Sequence, residues 1–86
     1  MKKIVAIIKP FEIKQKVFVY EDGQEIASTE AALDELNETI LSYANTYEVN
    51  SVDFAGPKKY NSGLAQELEQ YELVKYNVNN IDINII

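Results

Sequence analysis

The order of apolar and polar positions along this chain predicts five strands and two helices. Residues 4–8 form an unbroken apolar run between Lys3 and Lys9, the pattern of a strand covered on both faces, and Pro10 stops it. Residues 15–20 are rich in β-branched and aromatic side chains and predict a second strand. Asp22-Gly23 supplies the positive φ angles of a tight hairpin turn, so residues 24–27 return as a third strand. Leu33, Leu36, Ile40, Tyr43, Ala44 and Tyr47 then recur at helical spacing as one apolar stripe. Ser28 or Thr29 is the expected cap of this first helix, with Glu30 near its positive end, and Val49 and Asn50 close it.

The second half of the chain reads as strand, helix, strand. Residues 52–55 are the fourth strand, and Gly56-Pro57 turns directly into the second helix, where proline is tolerated in the first turn. Tyr60, Leu64, Leu68 and Tyr71 give its buried stripe. Gly63 inside this helix costs about 1 kcal/mol against alanine; it either allows close packing on the sheet or is a neutral variant. Residues 73–80 read as an Asn-rich connection, and Ile81, Ile83 and Ile85 alternate with Asp82 and Asn84 as the closing strand. The expectation is one α/β (α+β) domain over residues 1–86. Its sheet is mixed and five-stranded, and right-handed crossovers set the last two strands parallel to the first.

Composition narrows the chemistry. With no cysteine and no histidine, the chain excludes thiol redox chemistry, Cys-His proteases and the usual zinc sites, leaving carboxylates suited to magnesium or calcium. No cofactor is expected. All eight basic residues are lysine, so bidentate arginine recognition of guanine or phosphate is absent. The net charge of −6 argues against nucleic-acid and anionic-membrane binding and is first a solubility feature. The apolar run after Lys2-Lys3 is too short for a signal or membrane segment, which makes a cytoplasmic location the default expectation. Abundant Lys, Asn, Ile and Tyr without Arg fit an AT-rich genome, such as that of a low-GC bacterium or its phage.

The order of elements resembles the ribonuclease H-like fold, shared by RNases H, RuvC-type resolvases and the half-domains of actin and Hsp70 ATPases. The segment Phe54-Ala55-Gly56-Pro57-Lys58-Lys59 is also similar to the strand-then-glycine turn that touches nucleotide in the actin-like ATPases. The resemblance to the nucleases implies an aspartate in the first strand holding two metal ions, and residues 3–9 contain no acid. Asp53 with Glu35 or Glu38 cannot clamp two metals without it. The actin-like ATPases carry a glycine-rich phosphate hairpin between the first two strands, and residues 9–14 contain no glycine. The chain therefore reads as a minimal, non-catalytic relative.

Three functions compete on this reading. The first is a small non-enzymatic interaction protein, phage-encoded or of phage origin, that self-associates or binds a protein partner. Two helices cannot cover both faces of an apolar sheet, and Phe11, Phe18, Tyr20 and the strand around Ile86 are the surface left over. The second is a nucleotide- or phosphate-binding module, with a small anionic ligand held by Gly56, Lys58 and Lys59 and a base stacked on Tyr60 or Tyr76. Lysines at a helix N-terminus oppose its dipole, so helix stability does not explain them. The third is a metal-dependent nuclease using Asp53. The plain alternatives are that Asp53 faces solvent and that Lys58 and Lys59 only solubilise.

Overall fold

The computed structural model describes residues 1–49, 51–68 and 75–81. Strands β1 (Lys2–Ile7), β2 (Gln15–Glu21) and β3 (Gln24–Ala31) precede a 3₁₀ turn at Leu33–Glu35 and helix α1 (Leu36–Tyr47). Strand β4 (Ser51–Ala55), helix α2 (Lys58–Leu68) and strand β5 (Lys75–Ile81) follow. The mixed sheet has the order β3-β2-β1-β4-β5. Strands β1, β2 and β3 pair antiparallel, whereas β4 runs parallel to β1 and to β5.

The β2–β3 hairpin follows from its turn residues. Asp22 and Gly23 both take positive φ, 51° and 82°, the twist-matched geometry that a two-residue loop requires. A bulge between Val19 and Tyr20 shifts the register, so that Val19 faces Ala27 but Tyr20 faces Glu25. The Met1 amino group pairs with the Asp22 carboxylate at this turn, and its hydrogen bond and charge hold that carboxyl below the usual carboxylate range.

The first helix begins later than the sequence suggests. Ser28, Thr29 and Glu30 lie within β3 and cap nothing; the helix is entered from Ala32 through the 3₁₀ turn, with no side-chain cap. Pairing with Lys16–Phe18 of β2 draws these three residues into the ladder and overrides their capping preference. The helix ends at Glu48, which takes the left-handed conformation while its N–H donates to the Ala44 carbonyl.

The closing strand also differs. The segment read as an Asn-rich connection supplies β5, whose partner is β4, with a register shift between Asp53 and Ala55. Polar residues are tolerated there because an edge strand pairs on one side only. Residues 82–86, including the expected Ile83–Ile85 alternation and Ile86, and Tyr71 of the expected helical stripe lie outside the described residues. Gly63 meets nothing within 4 Å of an added Cβ, so it does not serve close helix–sheet packing.

Both helices cover one face of the sheet. Ile4, Ala6 and Ile8 of the first strand region, Val17 and Val19 of β2, and Val52 and Phe54 of β4 point into a core shared with Leu36, Ile40, Ala44 and Leu68. Alternation sends Lys3, Val5 and Ile7, Phe18 and Tyr20, and Asp53 and Ala55 to the opposite face. Among the described residues no helix covers that face, and Val5, Ile7, Phe18 and Tyr20 are only half-buried. Among the described residues, helices thus cover the apolar run of residues 4–8 on one side rather than two.

Candidate functional site

Three buried polar side chains show where the fold spends hydrogen bonds. Gln15 is 1% exposed because the alternation Gln15, Val17, Val19 turns it toward the core. Its Oε1 accepts from the Lys9 N–H, and its Nε2 donates to the Glu12 carbonyl at 3.0 Å. The Glu12 N–H donates to the Lys9 carbonyl at 2.9 Å, completing a closed turn between β1 and β2. Within this braced loop Phe11 and Ile13 are 92% and 88% exposed. A buried amide thus holds two large apolar side chains out in water, and a preorganised loop avoids the ordering entropy of binding.

Next to the loop lie two adjoining depressions. One, of about 500 Å³, is lined by Phe11, Glu12, Ile13, Lys14 and Glu30. The other, of about 190 Å³, is lined by Lys16, Phe18, Ser28, Thr29 and Glu30 on the uncovered side of the β2–β3 hairpin. Glu30 belongs to both. The uncovered face continues from there through Phe18 and Tyr20, whose ring centroids are 6.2 Å apart, to Val5, the partner of Phe18 in the β1–β2 ladder. Gln15→Ala is expected to lower stability by about 1–3 kcal/mol, because two hydrogen bonds to part-buried backbone groups are lost. It should also accelerate hydrogen exchange at the Lys9 amide, measured by NMR, more than at core amides.

The β4–α2 junction stands at the same end of the sheet. Gly56 has φ 141°, and a Cβ there would come within 2.5 Å of the Ile8 carbonyl oxygen. The Ile8 N–H donates to the Ala55 carbonyl at 2.7 Å, and Asn61 Nδ2 donates to the Gly56 carbonyl at 3.0 Å. Gly56 is therefore required by the close approach of the two chain segments. Lys58 and Lys59 are exposed in the first turn of α2. Lys59 Nζ lies 5.1 Å from the centroid of the Tyr60 ring, and Tyr60 packs against the core. The structure brings the four residues together, but Tyr60 is engaged by Lys59 and the core instead of standing free.

Asp53 lies on the uncovered sheet face, where its carboxylate is 3.5 Å from Lys3 Nζ and 16% exposed. Among the described residues no group of three or more acidic side chains is placed to hold a metal. Glu35 and Glu38 belong to the start of the helical layer, on the opposite side of the sheet from Asp53. Sequence reasoning did not single out Gln15, Asn37 or Asn61, all buried. Asn37 Nδ2 ties α1 to α2 by donating to the Leu64 carbonyl at 3.0 Å. Spacing held the signal: Gln15 is in phase with Val17 and Val19, and Asn61 with Leu64 and Leu68.

No family model matches this chain, and no curated protein matches it in sequence. In three dimensions it is similar to a protein of Bacteroides thetaiotaomicron VPI-5482 with an actin-like ATPase fold and unknown function. The TM-score is 0.70 at 17% identity. This likeness is one of fold. It covers 92% of this chain but 32% of the other, so the chain spans about a third of that protein's length. No helix among the described residues is long and apolar enough to cross a membrane.

Proposed function

We propose that this chain is a small, non-enzymatic interaction module, a minimal and non-catalytic variant of the ribonuclease H-like architecture, that works as a homo-oligomer in the cytoplasm. One observation carries the reading: the braced loop presents Phe11 and Ile13 to solvent beside a sheet face of Val5, Ile7, Phe18 and Tyr20 that no described helix covers. Apolar surface arranged in this way favours burial between subunits. The absence of an acid in β1 and the separation of Asp53 from the helical acids support a non-catalytic role.

A second reading, a small anionic ligand at Gly56, Lys58, Lys59 and Tyr60, is favoured by the two exposed lysines in the first turn of α2. Native mass spectrometry with light scattering at micromolar concentration separates the two. A dimer or larger assembly of bare chains is the expected result. A monomer carrying an added mass of a few hundred daltons, lost in Lys58→Ala/Lys59→Ala, would overturn the first reading in favour of the second.

A further inference from the structure

The uncovered sheet face is small for a stable dimer. Among the described residues its half-buried large apolar side chains are Val5, Ile7, Phe18 and Tyr20, where a standard interface takes about 20–30 residues a side. A stable pair of subunits needs additional contact, and the loop beside this face presents two strongly exposed large apolar side chains, Phe11 and Ile13. We infer that two copies of the chain associate about a two-fold axis at which the Phe11–Lys14 loop of each copy seats in the Lys16, Phe18, Ser28, Glu30 cleft of the other. This inference rests on the homo-oligomer reading above and adds the surface and its pairing rule.

Residue order makes the two elements complementary. The loop runs apolar, acidic, apolar, basic: Phe11, Glu12, Ile13, Lys14. The cleft offers an aromatic ring in Phe18 and an opposed pair of charges, Lys16 and Glu30, which face each other across the β2–β3 ladder. Seated in the cleft, Phe11 and Ile13 cover Phe18, Lys14 meets Glu30, and Glu12 meets Lys16. The two elements also adjoin on one chain, sharing Glu30 as a wall. Because they lie on one patch, a two-fold axis between them satisfies both contacts at once, residue i meeting j while j meets i. The brace from Gln15 keeps the loop from collapsing onto its own cleft, leaving it available to a second copy.

Charge reversal in separate chains tests this pairing. Lys14→Glu alone sets a new carboxylate against that of Glu30 at both contacts of a homodimer. Glu30→Lys alone sets a new ammonium group against that of Lys14. In a mixed dimer of the two variants both contacts become opposite-charged, whatever happens within each chain. The expected result is that each variant dimerises more weakly than wild type. An equimolar mixture then forms the mixed dimer at about nine-tenths of the dimer population, above the random share of about one half, read by native mass spectrometry with one chain isotope-labelled. A wild-type dimer with a random mixture would overturn the loop-to-cleft pairing while leaving the homo-oligomer reading intact. A wild-type monomer at micromolar concentration would overturn both.

Discussion

Gly56→Ala is expected to destabilise the domain by about 3 kcal/mol or more, a large fraction of the stability of a small domain. Two effects add. The backbone φ of 141° is one that a side chain with a Cβ rarely adopts, and the new methyl would lie 2.5 Å from the Ile8 carbonyl oxygen and 3.0 Å from the Ile8 Cβ. Neither neighbour is the free end of a long side chain. The Ile8 N–H to Ala55 bond fixes the first segment against β4, and the buried amide of Asn61 holds the Gly56 carbonyl. Relief would require β1 and β4 to part at their pairing end. Urea denaturation monitored by circular dichroism reads the loss. A stability within about 0.5 kcal/mol of wild type would mean that the junction relaxes freely and that packing does not account for this glycine. The result also bears on ligand binding, because it separates the glycine from Lys58 and Lys59. Replacing those exposed lysines should leave stability almost unchanged, so any ligand effect of theirs is read without a folding defect.

Local signals with one physical solution were legible in the sequence. Asp22-Gly23 admits a hairpin and little else, and the stripe of Leu36, Ile40 and Ala44 buries one helix face whatever the tertiary context. Signals with two solutions were not. Ser28 and Thr29 suit a helix cap as well as an edge strand, and the ladder partner offered by Lys16–Phe18 decides between them. The Asn-rich segment reads as a connection because its polar residues give no apolar alternation, yet β4 pairs with it and with Ile81. Of the candidate site, Phe11, Phe18 and Tyr20 were visible as surplus apolar surface. The role of Ile13 was not, because its exposure depends on Gln15 reaching back from β2 to close the loop. Long-range bracing of this kind leaves no periodicity in the chain.

Phe54→Ala and Phe18→Ala should have opposite consequences although both remove a phenylalanine from the same sheet. Phe54 has no exposed surface and lies in β4 beneath the helical layer, so truncation leaves a cavity and is expected to cost about 3–5 kcal/mol. Phe18 lies on the other face, half-buried, with its ring beside Tyr20 and its ladder partner Val5. Its truncation should change the stability of the single chain by about 1 kcal/mol or less. Because burial between subunits adds to apparent stability by mass action, Phe18→Ala should nevertheless lose most of the concentration dependence of the melting temperature, while Phe54→Ala should keep it at a lower baseline. Thermal melts across a hundredfold range of protein concentration distinguish the two. If both variants lowered the melting temperature equally at every concentration, the second face would be core and not interface. The alternation of β2 and β4 makes that outcome the opposite of the expected one, since residues two apart share a face and neighbours do not.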